Sequence, residues 1–480
     1  MEISIPNNHN FFEEKPLIKS DLKGTFGSRS QRKVCDLFSS VYELNTGNAR
    51  IKSLKIIGFK DFYKKEDENR LILKLYSKES DQAEKKYYVQ TGLFSGIVFH
   101  KECRFNITTR YGDVFLRRML NYVNDIYVDT EKYKASKKEN FNEFQFILAY
   151  LFIQTLEKAS VLGLPKEYQN VTERSHKVRG RVDINAYLKH DMPFRGKLTS
   201  SYRTQKYIQE IIDVLYLSLL KLEKTFGKDI NDKIFGVKQL LKREYSGIYV
   251  SQETLLKAKN HRVLSNPLFA SFKKVLEYAE IILLDYELTP EKKKDNKLET
   301  TGFLFDISQL FELYLEKLLA KRFSDWEVKG QEEIKLYSSQ FYSRKMLPDL
   351  VLKHKYSDKV IVFDAKFKSM RMERKPSKIS DLDRNDFYQI HTYMQYYQSD
   401  LIFGGLMYPL SNELKLDNTH SDYLFGHINH SNTKFIVDGI YVNDKMTMKK
   451  ILESENRFLD RIENLIEERL ERKEVKLKAV

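Results

Sequence analysis

LPDLVLKHKYSDKVIVFDAKFK, residues 347–368, reads as two short apolar strands joined by a polar turn. The first carries Pro348-Asp349 and the second Asp364-Ala365-Lys366. With the turn centred on Ser357 and Asp358, antiparallel pairing sets Asp349 opposite Lys366, and directly opposed residues share a face of a sheet. Asp364 and Lys366 are alternate residues of one strand, so they share that face as well. In this register Asp349 and Asp364 are diagonal neighbours, about 7 Å apart at the backbone and within reach of a common cation. A slip by a single residue would put the charges on opposite faces. Val360, Ile361, Val362, Phe363 and Phe367 make the second strand apolar on both faces, so the charges sit at the end of a buried element.

Carboxylate oxygens are the natural ligands of Mg2+, which keeps several waters and takes substrate phosphate at its remaining positions. Such an ion polarises a phosphoryl oxygen and activates water, while a neighbouring ammonium orients that water or stabilises developing charge. Lys366 fits the second part. The cluster therefore suits phosphodiester hydrolysis. The same residues also suit a plain hairpin with a cross-strand Asp/Lys pair, and the hairpin by itself does not separate the two readings.

The flanking sequence extends the pattern. Upstream, FLFDISQLFELYLEKLLAKRF (303–323) reads as a strongly apolar helix with Glu312 in its middle. Downstream of a basic stretch from Met370 to Arg384, RNDFYQIHTYMQYYQSD (384–400) has helical spacing and places Gln389 and Tyr393 on one face. Taken singly, Glu312 also reads as a solvated acid, and Gln389 with Tyr393 as an ordinary helix face. The apolar run LIFGGLMYPL (401–410) follows as a strand. With one further short strand near Val328 to Lys335, the order becomes α-β-β-β-α-β, that of a restriction-endonuclease-like core.

Residues 300 to about 445 resemble the PD-(D/E)XK nuclease superfamily, and the spacing of Glu312, Pro348-Asp349, Asp364-x-Lys366 and Gln389-x-x-x-Tyr393 is similar to its RecB-like branch. Within that branch, FLFDISQLFELYLEKLL, MLPDLVL, VIVFDAKFK, DFYQIHTYMQYY and GGLMYP look like the McrC family, the nuclease subunits of McrBC-type restriction systems, and the related LlaJI-family restriction proteins. VRGRVDINAYLKHDMPFRGKLTSSYR (Val178 to Arg203) resembles the McrC segment that follows its amino-terminal domain, so the likeness covers most of the chain after about residue 85. The first eighty or so residues match nothing familiar, and the chain is longer than a typical member of the family.

The resemblance implies a set of roles. Glu312, Asp349 and Asp364 would be metal ligands for Mg2+, with Mn2+ as a substitute. Lys366 would be the catalytic lysine, and Gln389 with Tyr393 would lie on the helix that supports the site and meets double-stranded DNA. The motor would be a separate McrB-like AAA+ GTPase subunit carrying much of the DNA recognition, with the amino-terminal half of this chain as its docking and activating module. Arg179, Arg181 and Arg195 are candidates for stimulating the partner's nucleotide hydrolysis, because arginine stabilises transferred phosphoryl charge. They read more readily as ordinary surface or core-pairing arginines.

Composition bounds the rest. A chain of 480 residues exceeds the usual single-core size. The expected class is multidomain α+β: residues 1–202 as a β-rich N-terminal domain, 203–297 as a helical connector, and 298–480 as an α/β restriction-endonuclease-like nuclease domain closed by a C-terminal helix. RLILKLYS, KKYYVQTGLF and GIVFH read as strands before a helical FLRRMLNYV, and Glu143 to Leu162 reads as a second apolar helix. LTPEKKKDNKLETT (Leu288 to Thr301) has the polarity of a linker. From Lys449 to Lys478, apolar residues from Ile451 to Leu470 recur at helical spacing, as for core packing.

With 41% hydrophobic residues, 13% aromatic and 9 Pro, the chain is not of the disordered class. A formal charge of +15 favours a polyanionic partner through counterion release. No apolar run approaches the ~20 residues of a spanning helix, and MEISIPNNHNFFEE lacks the regions of a signal peptide, so a cytoplasmic protein without membrane attachment is expected. Cys35 and Cys103, the 2 cysteines, are too few for a disulfide framework or a four-cysteine iron–sulfur cluster. His427 and His430 have no nearby carboxylate or cysteine to complete a metal site. A phosphate-binding loop would need Gly where Asp191 precedes Gly196-Lys197, so nucleotide hydrolysis by such a loop is not expected. Two further functional classes remain open from sequence: an autonomous RecB-like repair or recombination nuclease, and a non-catalytic DNA-binding scaffold on a nuclease fold.

Overall fold

Thr301–Asp306, TGFLFD, joins a sheet formed by the first hundred or so residues of the chain and fixes how the protein divides. The computed structural model describes all residues except 1, 11–14, 18–21, 24–36, 48–53, 60–68, 80–84, 102, 124–142, 228–233, 284–299, 336–344, 369, 371–381, 415–419, 424–432 and 478–480. Cys35, His427, His430, most of the Leu288–Thr301 linker and most of the basic stretch after Met370 lie outside the described residues. The chain forms two units, residues 1–136 with 293–480, and residues 137–292.

The first unit begins with β1 (Glu2–Pro6), β2 (Leu22–Lys23), β3 (Tyr42–Asn45), β4 (Leu54–Ile57), β5 (Leu71–Glu79), β6 (Lys85–Thr91), β7 (Phe94–His100) and β8 (Cys103–Thr108), followed by helix α1 (Asp113–Val123). β3, β5 and β6 make a three-stranded sheet. Strict alternation in CRFNIT of β8 buries Cys103, Phe105 and Ile107, and these join Ile3, Ile5, Leu73, Leu75, Val89 and Val98 in one core.

The second unit contains α2 (Glu143–Ser160), β9 (Lys166–Ser175), β10 (Arg181–Val182), β11 (Leu198–Tyr207), α3 (Gln209–Phe226), α4 (Phe235–Glu244), α5 (Gln252–Lys259) and α6 (Phe272–Leu283). Its core lies among α2, α3 and α6, with Ile211, Ile212, Val214, Leu215, Phe272, Val275 and Leu276 buried. The three strands pair antiparallel in the order β10-β11-β9. Arg179, Arg181 and Arg195 are exposed here, the Arg179 guanidinium 5.7 Å from the Tyr202 ring centroid. Asp191 is buried and accepts the Thr199 N–H at 2.9 Å.

The chain then returns to the first unit as β12 (Thr301–Asp306), α7 (Ile307–Arg322), β13 (Trp326–Gly330), β14 (Ile334–Lys335), β15 (Lys345–Met346), β16 (Leu350–His354), β17 (Val360–Ala365), α8 (Arg384–Tyr397), β18 (Leu401–Leu410), β19 (His420–Tyr423), β20 (Lys434–Tyr441) and α9 (Met448–Leu477). FLFD is thus a strand rather than the first turn of the expected helix, and Asp306 caps α7 with its carboxylate on the Gln309 N–H. β12 runs antiparallel to β7 and parallel to β4 in the order β2-β1-β8-β7-β12-β4. Gly96 and Gly302 permit that pairing: a Cβ on Gly302 would fall 2.1 Å from the Ile97 carbonyl oxygen, and on Gly96 2.3 Å from that of Phe303.

These joins replace the expected consecutive segments 1–202, 203–297 and 298–480. The Lys166–Tyr207 hairpin belongs with the helices that follow it, and β12 ties the carboxy-terminal third to the first sheet. The other sheet of this unit has the order β13-β16-β17-β18-β20-β19, with β16/β17 antiparallel and β17/β18 and β18/β20 parallel. Between α7 and the hairpin the single expected strand is replaced by β13, which pairs with β16, and by the separate β14–β15 pair; α8 and β18 then follow. α8 packs on β17 and β18, where Ile390, Tyr393 and Met394 meet Val351, Val360, Val362 and Leu406. α9 buries Ile451, Phe458, Leu459, Ile462, Leu465 and Ile466, the stripe expected to serve the core.

Candidate active site

The β16–β17 hairpin is present, but its register differs from the expected one. Leu350 pairs with Phe363 and Lys353 with Val360. Continuing this pairing sets Asp349 opposite Asp364, not opposite Lys366. The turn falls earlier because β16 ends at His354, whose N–H bonds the Lys359 carbonyl at 2.9 Å. Trp326 of β13 pairs with His354, and the next N–H, of Lys355, bonds the Asp325 carbonyl at 2.9 Å. An even shift leaves every side chain on its own face, so the two carboxylates and Lys366 still share one. It is the face on which Val360 and Val362 meet α8.

The two carboxylates are served unequally. Asp349 Oδ2 accepts the Ala365 N–H at 2.9 Å. Asp364 is 0% exposed, and neither of its oxygens has a hydrogen-bond partner. Lys366 Nζ lies 2.7 Å from Asp364 Oδ2, close enough for an ion pair yet outside hydrogen-bond geometry. Burial, then the nearby Asp349, push the Asp364 pKa well above its ordinary value. Burial opposes charge on Lys366, but Asp364, Asp349 and Asp386 outweigh it and raise the ammonium's pKa.

Lys366 follows the last residue of β17, where its N–H bonds the Met407 carbonyl at 2.8 Å and fixes the backbone against β18. Its Nζ donates to Gln389 Oε1 at 3.2 Å, and Gln389 Nε2 donates to Tyr393 Oη at 2.7 Å. The i, i+4 face read from the sequence thus becomes a chain of contacts ending on the lysine. Burial, against the Gln389 hydrogen bond, pushes the Tyr393 phenol up to about 12, so it is a neutral hydroxyl at physiological pH.

Five of the candidate residues, Asp349, Asp364, Lys366, Gln389 and Tyr393, are therefore assembled in one place. Glu312 lies half-buried on α7. Among the described residues no three His, Cys, Asp or Glu side chains are grouped as a metal-holding set, so Glu312 is not brought to the two aspartates as a third ligand. Asp386 and Lys368 were not singled out in the sequence. Both belong to the cluster: Asp386 Oδ1 lies 3.7 Å from Lys366 Nζ, and Lys368 Nζ donates to Asp386 and Asp383. The position of Asp386 one turn before Gln389 was the available signal.

The donor set suits an oxygen-preferring divalent cation. A buried carboxylate without a donor beside a second carboxylate is costly, and a cation held between them offsets both the repulsion and the desolvation. Asp349 and Asp364 are the residues that could hold such a cation.

The model of the family described as McrBC 5-methylcytosine restriction system component matches residues 51–409. The chain belongs to the McrBC family. The match begins within the first eighty residues, where the sequence alone showed no likeness, and it takes in all six candidate residues. Comparison with curated proteins found no match. Among solved structures, a chain from the refined half-complex of the tetradecameric assembly of Thermococcus gammatolerans McrB AAA+ hexamers with bound McrC is similar, with 15% identity and a TM-score of 0.53. That similarity covers 97% of this McrBC-family chain and 100% of the other, and shows a shared fold. A chain from the cryo-EM structure of the Thermococcus gammatolerans McrBC complex matches at 13% identity and a TM-score of 0.33, over 68% of this chain and 89% of that one. Among the described residues no helix is long and apolar enough to cross a membrane.

Proposed function

We propose that this McrBC-family chain is an McrC-like, Mg2+-dependent DNA endonuclease subunit of the PD-(D/E)XK type, acting in a GTP-driven restriction complex in the cytoplasm. The observation that carries the reading is the convergence of Asp349, Asp364 and Lys366 on one face, with both Asp364 oxygens buried and without hydrogen bonds. A divalent cation held by Asp349 and Asp364 would polarise a phosphodiester oxygen and activate water. Lys366, kept protonated by the surrounding acids, supplies a fixed positive charge for the phosphate in the transition state. Gln389 orients that ammonium, and Tyr393 orients Gln389.

A net charge of +15 supports a polyanionic substrate, for which double-stranded DNA is our reading. The structural neighbour was solved with McrB AAA+ hexamers, and this supports a separate AAA+ GTPase as activating partner here. Glu312 of α7 would join the site as a further ligand only if substrate or partner rearranged it.

The test is DNA cleavage with Mg2+ and the AAA+ partner. Lys366→Ala should lower cleavage by about a hundredfold or more while leaving assembly with the partner intact. Undiminished cleavage by that variant would remove Lys366 from the mechanism. Strong cleavage by the chain alone would favour an autonomous nuclease.

A further inference from the structure

Asp386 is the third carboxylate at the Lys366 ammonium. It is 5% exposed and sits on α8 one turn before Gln389. Its Oδ1 is 3.7 Å from Lys366 Nζ, and its two oxygens accept hydrogen bonds from Lys368 Nζ at 3.2 and 3.0 Å. Asp383, the N-cap of α8, takes a further Lys368 hydrogen bond at 3.3 Å. Lys366 therefore stands between two buried acids, Asp364 at 2.7 Å and Asp386 at 3.7 Å, with the Gln389 amide oxygen at 3.2 Å.

The nearer acid is the one that cation binding would claim. An ammonium and a divalent cation on a single buried carboxylate repel strongly, because the surrounding dielectric is low. Gln389 offers the ammonium a neutral acceptor but no counter-charge. Asp386 offers the counter-charge, which it shares with Lys368. This pairing gives the ammonium a place on the α8 side of the site, where it stays charged and close to Asp364.

We propose that Asp386 is a positioning residue, which takes over the Lys366 ammonium when a divalent cation binds Asp364 and so makes cation binding and an ordered lysine compatible. The proposal rests on the metal reading of the two aspartates. Asp386 touches neither the phosphate nor the cation, and acts through Lys366.

The experiment is titration of the full chain with Mn2+, without DNA or partner, following free Mn2+ by electron paramagnetic resonance. Asp386→Asn keeps the side-chain shape and should weaken Mn2+ binding by about tenfold. In a Lys366→Met background the same substitution should change binding by less than about twofold, since there is no ammonium to house; this difference is the coupling that a purely structural role would lack. Asp386→Glu should recover most of the affinity. Thermal melting of each variant shows that it is folded. If Asp386→Asn does not fold, Lys368→Met is the second variant: it frees Asp386 for Lys366 and should tighten Mn2+ binding only where Lys366 is present. Equal losses in both backgrounds, or no loss in either, would overturn the proposal while leaving the metal site standing. Failure of the wild-type chain to bind Mn2+ more tightly than Asp349→Asn would overturn the metal site, and this proposal with it.

Discussion

Asp349 and Asp364 face each other across the β16–β17 hairpin, and only Asp349 receives a backbone hydrogen bond. This asymmetry sets a pH dependence. Burial and then the Asp349 charge raise the Asp364 pKa well above 3.8. A group whose pKa is raised by folding contributes stability that is complete below its unfolded pKa and is lost as pH rises through the folded value. In chelating buffer the wild-type chain should therefore lose stability relative to Asp364→Asn progressively as pH rises from about 4. Mg2+ should close the gap by stabilising only the wild type. Melting curves at successive pH values check this, and a gap that does not change with pH would contradict it.

Gln389 and Tyr393 should rank by their distance from the lysine. Gln389→Ala removes a hydrogen bond to a charged donor, a loss of about 1.5–3 kcal/mol that corresponds to roughly ten- to hundredfold in cleavage if the bond persists in the transition state. Tyr393→Phe removes a neutral bond that acts only through Gln389, and should cost about 1 kcal/mol, roughly fivefold. Single-turnover cleavage with the partner present measures both. A larger effect from Tyr393→Phe would place the phenol itself at the substrate.

The β12 join makes the expected 297/298 boundary a poor place to cut. A fragment 298–480 carries Phe303, Leu304 and Phe305, which are 3%, 0% and 1% exposed in the whole chain, on a strand open at both edges. Expressed alone, it should aggregate. Co-expressed with residues 1–297 it should be rescued and co-purify, because β7 and β4 then recover their shared neighbour. A well-behaved 298–480 fragment would show that β12 is dispensable to that part of the fold.

How far the sequence could be read follows from the range of each interaction. The common face of Asp349, Asp364 and Lys366 was legible because strand alternation is local, and it survived an error in register because the shift was even. The register itself was not legible: the turn is placed by His354 and Lys355 bonding to β13, a contact between segments. Gln389 and Tyr393 were legible as a helical pair. Asp386 was not, since its role depends on Lys366 and Lys368 reaching across from another element. FLFD was misread as helix because it runs without a break into ISQLFELYL; only Asp306, the cap, marks the change. Pairing of Phe303 with Ile97 across some two hundred residues leaves no local trace.

Arg461 supplies the remaining prediction. Its guanidinium, 3% exposed, lies 2.7 Å from the fully buried Asp438 of β20, and it also donates to the Gly439 and Leu414 carbonyls at 2.9 and 3.3 Å. With the Lys434–Glu468 ion pair, this side chain fastens α9 to the strand at which the parallel part of the sheet ends. Arg461→Met removes the guanidinium that balances the buried Asp438 carboxylate and should cost about 3–5 kcal/mol of stability. Adding Asp438→Leu removes that charge and should recover much of the loss. Recovery should stay incomplete, because the two carbonyls that Arg461 served remain without their donor. Urea unfolding of the single and double variants measures both steps, and a double variant no more stable than Arg461→Met would show that the carbonyl contacts, rather than the ion pair, hold α9 in place.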